Sequence, residues 1–217
     1  MGRRLALALL ALAIAAAPCL AQDTINIHFS TYGYESGGFE FSAQGDTLVL
    51  VGFVVDAEGV IPGLPYSPSV NEYTIVFTDL VSGGEGVEGG VSTFTYTGGV
   101  MSIYQDPSFD GDWEQPHEAN QPPASFVNGE LWLRGEMGPF DWTLWRDMSM
   151  GVCGAIVQVT GGLAAPWVPQ SLACGGTMVP AGGFYQAIGY DLQLNAEMWR
   201  ESVAIRASSL GAIKALY

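Results

Sequence analysis

The sequence predicts an all-β protein: a two-layer antiparallel β-sandwich, jelly-roll-like in outline, followed by a short C-terminal helix. Three observations carry that expectation. Gly occurs 29 times and Pro 12 times among 217 residues, scattered between short β-branched and aromatic runs, which is the usage of many strands joined by tight turns. Apolar residues recur at every second position in run after run, and no long stretch keeps a helical period. At 48% hydrophobic and 13% charged, the chain can fill a substantial core, and no linker divides it.

Residues 1–21 read as a signal peptide. Arg3 and Arg4 precede an apolar run from Leu5 to Ala17, and small residues lead to a cut after Ala21. Leu5 to Ala21 is short for a membrane span and no stop-transfer pattern follows, so no transmembrane segment is expected in the mature chain. The expected location is secreted, periplasmic or cell-surface. Losing Arg3 and Arg4 leaves 5 basic against 22 acidic side chains, a net charge of −17. Such a surface repels nucleic acid and suits neutral sugars, cations or basic partners.

The mature chain, 22–207, reads as one domain of roughly ten strands. Thr24 to Phe29 alternates, and Gly33 to Gly38 is a flexible break before a second alternation at Gly38 to Ser42. Thr47 to Val55 is nearly all apolar, as for a strand covered on both faces in the middle of a sandwich. Asp56 to Val70 holds Pro62, Pro65 and Pro68, which cannot lie inside a sheet. Glu72 to Phe77 is a strand and Ser82 to Gly90 a turn. Ser92 to Tyr96 and Val100 to Tyr104 pair about Gly98-Gly99.

In the middle, Gly129 to Glu136 and Phe140 to Asp147 form a hairpin turned at Met137-Gly138-Pro139. Alternation puts Leu131, Leu133, Phe140, Trp142 and Leu144 on its core face and Trp132 and Trp145 on the other. Ala155 to Thr160 and Gly189 to Glu201 are further strands, with a Pro- and Gly-rich region between them. A helix capped at Ser208 or Ser209 fills 208–217, with Leu210, Ile213 and Tyr217 on one side.

The segment Tyr96-Thr97-Gly98-Gly99-Val100-Met101-Ser102-Ile103-Tyr104-Gln105-Asp106-Pro107-Ser108, with Pro122-Pro123-Ala124-Ser125-Phe126-Val127-Asn128-Gly129-Glu130-Leu131-Trp132-Leu133 after it, resembles uncharacterised exported bacterial β-rich proteins, many of which carry PEP-CTERM-type sorting tags. The likeness covers about residues 71–136 and implies export and β structure, with no assigned activity. The end of this chain has no Pro-Glu-Pro and no closing basic cluster, so sorting by that route is not expected.

Several residue sets suggest chemistry. Asp106, Asp110, Asp112 and Glu114 lie in a polar loop whose oxygen ligands suit Ca²⁺, although Gln115 and Gln121 rule out an EF-hand. Glu130, Glu136 and Asp141 offer the acid and base of a glycosidase. His28 and His117 are the only histidines and no Gly-x-Ser-x-Gly occurs, so serine-hydrolase and zinc-protease sites do not assemble. Trp132 and Trp145, on the mixed face of the hairpin, and Trp113, flanked by polar residues as Trp199 also is, are candidate stacking platforms. With Cys19 removed in the leader, Cys153 and Cys174 remain as an even pair and read as a disulfide, worth about 3 kcal/mol. The expected function is a non-catalytic binding or structural module of the cell exterior, meeting carbohydrate or another exterior protein. The alternatives are a carbohydrate-active hydrolase and a calcium-stabilised module.

Overall fold

The computed structural model describes residues 25–38, 42–58, 63–118 and 120–200. The leader at 1–21 and the tail helix at 208–217 lie outside the described residues. The strands are β1 (Asn26–Glu35), β2 (Thr47–Glu58), β3 (Glu72–Glu88), β4 (Val91–Thr97), β5 (Val100–Asp106), β6 (Glu130–Met137), β7 (Phe140–Trp145), β8 (Met150–Gly161), β9 (Ser171–Pro180) and β10 (Leu192–Arg200), all paired antiparallel. One short helix, α1 (Gly183–Ala187), separates β9 from β10.

The architecture corrects the sandwich expectation: the sheet closes on itself as an eight-stranded barrel. β1 pairs with β2 on one side and with β10 on the other, and the ladders β2–β3, β8–β9 and β9–β10 continue the ring. The remaining two staves are each made of two strands in line. β4 and β5 both run antiparallel to β3, with Val81 opposite Thr97 and Thr78 opposite Val100. β6 and β7 both run antiparallel to β8, with Met137 opposite Val157 and Asp141 opposite Gly154.

Gly98-Gly99 and Met137-Gly138-Pro139 are therefore kinks within a stave, and neither expected hairpin exists. Met137 N donates to Gly99 O at 2.8 Å and Gly138 N donates to Ile156 O at 2.8 Å, so the ladder runs straight through both. Gly98 has φ +79°, and a Cβ on Gly99 would stand 2.4 Å from Leu80 Cδ2. A bend this tight against a neighbouring stave needs glycine.

The interior is packed. β4 shows the pattern cleanly, with Ser92, Phe94 and Tyr96 buried and Thr93, Thr95 and Thr97 exposed. Phe29, Leu50, Phe77, Met101, Leu133 and Leu194 belong to this same core. One end is plugged by Trp132, whose Nε1 donates to Pro65 O at 2.7 Å and whose ring meets Tyr73 edge-on at 5.4 Å.

A second apolar cluster lies outside the barrel wall. Tyr32, Val49, Val51 and Val76 point outward from β1–β3 and are covered by the segment after β5 and by α1, which bring in Trp113, Phe126 and Tyr185. That cover explains why Thr47 to Val55 is apolar on both faces, a burial read correctly from the sequence and assigned to the wrong architecture. β9 falls in the region read as Pro- and Gly-rich, and β3 runs through the expected turn at 82–88.

Candidate functional site

The predicted site residues are dispersed. Trp132 is fully buried rather than a platform. The cause is a bulge: Ile103 faces Leu133 while its neighbour Tyr104 faces Leu131, leaving Trp132 as the extra residue and breaking strict alternation. Trp113 is half-buried in the outer cluster, 4.7 Å from Phe53 and 5.5 Å from Tyr185 between ring centroids. Trp145 is half-buried at the end of β7.

Glu130 and Glu136 lie six residues apart along β6, about 20 Å at strand rise. Asp141 follows beyond the kink; the two stand opposite Gly154 and Gln158, four residues apart on β8, so about 13 Å separates Asp141 from Glu136. No two of them approach the roughly 5 to 9.5 Å that glycoside hydrolysis requires. The acidic loop spends its carboxylates on turns. Asp106 Oδ1 accepts from Ser108 N at 2.8 Å, Asp112 Oδ1 from Glu114 N at 2.8 Å, and Asp110 from Asn128 Nδ2 at 3.1 Å. Among the described residues no three His, Cys, Asp or Glu side chains are grouped to hold a metal.

Cys153 and Cys174 are both free thiols, which corrects the disulfide. Cys174 stands opposite Ala155 and Cys153 opposite Gly176, so the two are diagonal neighbours on β8 and β9. That diagonal spans about 7–8 Å between Cα atoms, beyond the usual disulfide range. Burial pushes the Cys153 thiol up to about 12 and raises Cys174 as well.

Two groupings appear that the predicted residues do not define. The first is a polar cluster inside the barrel, at the end away from Trp132. Glu35, 6% exposed, accepts from Ser42 Oγ at 2.6 Å and from Tyr96 OH at 3.3 Å, and Ser42 Oγ lies 2.7 Å from Ser82 Oγ. Burial raises the Glu35 carboxyl to about 7 against the pull of those two hydroxyls, with Asp46 and Asp191 adding to the rise. No cation offsets it in this set. Further along the same barrel end, Arg146 Nε donates to Ser92 Oγ at 2.6 Å and its guanidinium pairs with Glu85.

The second grouping is a groove on the outer wall. A register row crosses four staves: Asp141 stands opposite Gly154, Gly154 opposite Gly175, and Gly175 opposite Glu197. Two adjoining hollows share Gly175; one is lined by Pro139, Asp141, Gly154, Ile156 and Trp199, the other by His28, Asn195 and Glu197. Trp199 lies down over Gly175, where a Cβ would meet its Cη2 at 3.1 Å, yet the residue stays 38% exposed. The rim carboxylates are pre-oriented: Thr95 Oγ1 donates to Asp141 at 2.8 Å and Asn26 Nδ2 to Glu197 at 3.1 Å.

Of this groove, Asp141 and Trp199 were visible as candidates and the glycines were not. Their signal is present all the same, as glycines in mid-strand within GVCGAIVQ and ACGGT, where strands usually avoid them. Glu35 gave no signal, because it falls in a stretch read as a flexible break. No helix among the described residues is long and apolar enough to cross a membrane. No protein-family model, curated protein or solved structure matches the chain.

Proposed function

We propose that the mature chain is an exported, non-catalytic binding module of the cell exterior that meets its ligand on the outer wall of the barrel. The observation that carries this reading is the filled lumen. Small barrels that carry a ligand inside keep a cavity there, whereas here Phe29, Phe77, Met101, Trp132 and Leu194 occupy the space. Among the described residues two adjoining concavities lie on the outer wall, one of them beside Trp199, and a third lies at the β3–β4 turn.

Compartment and charge support the same reading. The leader-like first 21 residues suit export, and 22 acidic against 7 basic side chains suit neither nucleic acid nor anionic lipid. Membrane-spanning barrels are apolar outside and polar within; this barrel is apolar within apart from the cluster around Glu35 at one end, and its outer wall carries Glu130, Arg134, Glu136 and Asp141 in the open.

The test pairs two measurements on the mature protein. An apolar dye such as anilinonaphthalene sulfonate should gain no fluorescence, and the protein should be retained on washed cell-envelope material, with retention lost in Trp199→Ala. Stoichiometric dye uptake without envelope retention would move the ligand into the lumen and sink the proposal.

A further inference from the structure

Gly154 is a residue that the fold does not require. It sits mid-strand in β8, where glycine weakens a strand. Its φ is not among the positive ones, so its backbone does not demand glycine. A Cβ there would meet only Cys174 O at 3.6 Å, an ordinary contact. Gly161, which also has open space, is the last residue of β8; other mid-strand glycines of the wall are hemmed in: a Cβ on Gly52 would sit 2.0 Å from Ser30 O, and one on Gly176 would sit 2.4 Å from Asn195 O. Gly175 beside it is accounted for by the ring of Trp199. What Gly154 keeps open is the floor of the groove between Trp199 and Asp141.

We infer that this groove is a binding site for a neutral saccharide, with one sugar ring lying on the bare backbone at Gly154, flanked by the indole of Trp199 and the carboxylate of Asp141. The inference rests on the binding-module reading and names its ligand class.

Four features select that class. A single exposed indole, with no second aromatic lining its hollow among the described residues, offers a flat apolar surface to the C–H face of a ring; recognition of an organic cation would call for a cage of several aromatics. The banks are acceptors already held in place, Asp141 by Thr95 and Glu197 by Asn26, and acceptors suit hydroxyl donors. The surplus of acidic over basic side chains repels anionic sugars. Finally, three inter-strand steps separate Asp141 from Glu197, about 14 Å along the wall, and within that span the Trp199 ring covers Gly175 while the backbone at Gly154 stays bare beside it.

The experiment is isothermal titration of the mature protein and three variants with short neutral oligosaccharides of glucose, N-acetylglucosamine and xylose, and separately with tetramethylammonium. Trp199→Ala removes the platform and Gly154→Val fills the floor with a strand-favouring side chain; Trp145→Ala, at the far end of β7, is the control. At least one oligosaccharide should bind the wild type and Trp145→Ala alike. Both groove variants should weaken it by roughly tenfold or more, the scale of one aromatic contact, with melting temperatures close to the wild type's.

Binding that survives Gly154→Val and Trp199→Ala would place the sugar elsewhere and overturn the inference. Groove-dependent binding of tetramethylammonium alone would replace the ligand class. Loss of oligosaccharide binding together with persistent Trp199-dependent retention on envelope material would reject the saccharide and leave the binding module standing.

Discussion

Among the described carboxylates, Glu35 stands furthest from its ordinary state. Its carboxyl is raised from 4.5 to about 7, chiefly by burial, with two hydroxyl donors opposing and Asp46 and Asp191 reinforcing. Between those two values the folded chain holds a proton that the unfolded chain has released. Stability is therefore unpenalised by this group below pH 4.5 and falls as pH rises towards about 7. After discounting for residual solvent screening the loss is on the order of 2 kcal/mol. Glu35→Gln keeps an acceptor for Ser42 and Tyr96 and cannot ionise. Urea midpoints at pH 5 and pH 8 should thus differ less in the variant than in the wild type; an unchanged difference would show that Glu35 ionises freely in the fold. Trp132 teaches the complementary lesson at this scale. Its neighbours in sequence place it outside, and one extra residue in the β5–β6 ladder turns it in.

At the scale of elements, the kinks decide the architecture. A Gly-Gly pair between alternating runs is the ordinary signature of a hairpin, yet Gly98-Gly99 carries the chain onward along β3 because Gly98 takes φ +79° and Gly99 fits against Leu80. Replacing Gly98 by Ala forces an L-residue into left-handed backbone at a cost of about 1–2 kcal/mol, read as a melting temperature lower by several degrees. The same substitution at Gly90, in the exposed turn between β3 and β4 with a similar φ, carries a similar backbone cost and no rearrangement of packing, since nothing lies within 4 Å of its Cβ position. Strand positions were legible in the sequence because burial on one face imposes a period of two. Direction was not legible, since glycine and proline mark both a reversal and a bend. β9 escaped notice because Gly175 and Gly176 dilute its alternation, and those glycines answer to Trp199 and to the β10 backbone, contacts remote in sequence.

Sandwich and barrel draw on one hydrophobic pattern, since each buries one side of every strand. The all-β class was therefore readable from composition and period. Closure was not, because it depends on β1 meeting β10, elements at opposite ends of the described chain. The groove was half legible for a related reason: Asp141 and Trp199 announce themselves singly, and only the strand register, with the Trp199 ring reaching over Gly175, brings them to the two glycines. The seam between β1 and β10 also means that the barrel has no privileged point of entry. Asn26 and Trp199 are partners across it, so residues 25 and 200 leave the wall side by side. A circularly permuted chain that bridges them with about three residues and opens instead between Gly89 and Gly90 should fold to the same far-ultraviolet spectrum and melt in one cooperative step. The order in which this polypeptide is written could then be rotated without changing the object it makes.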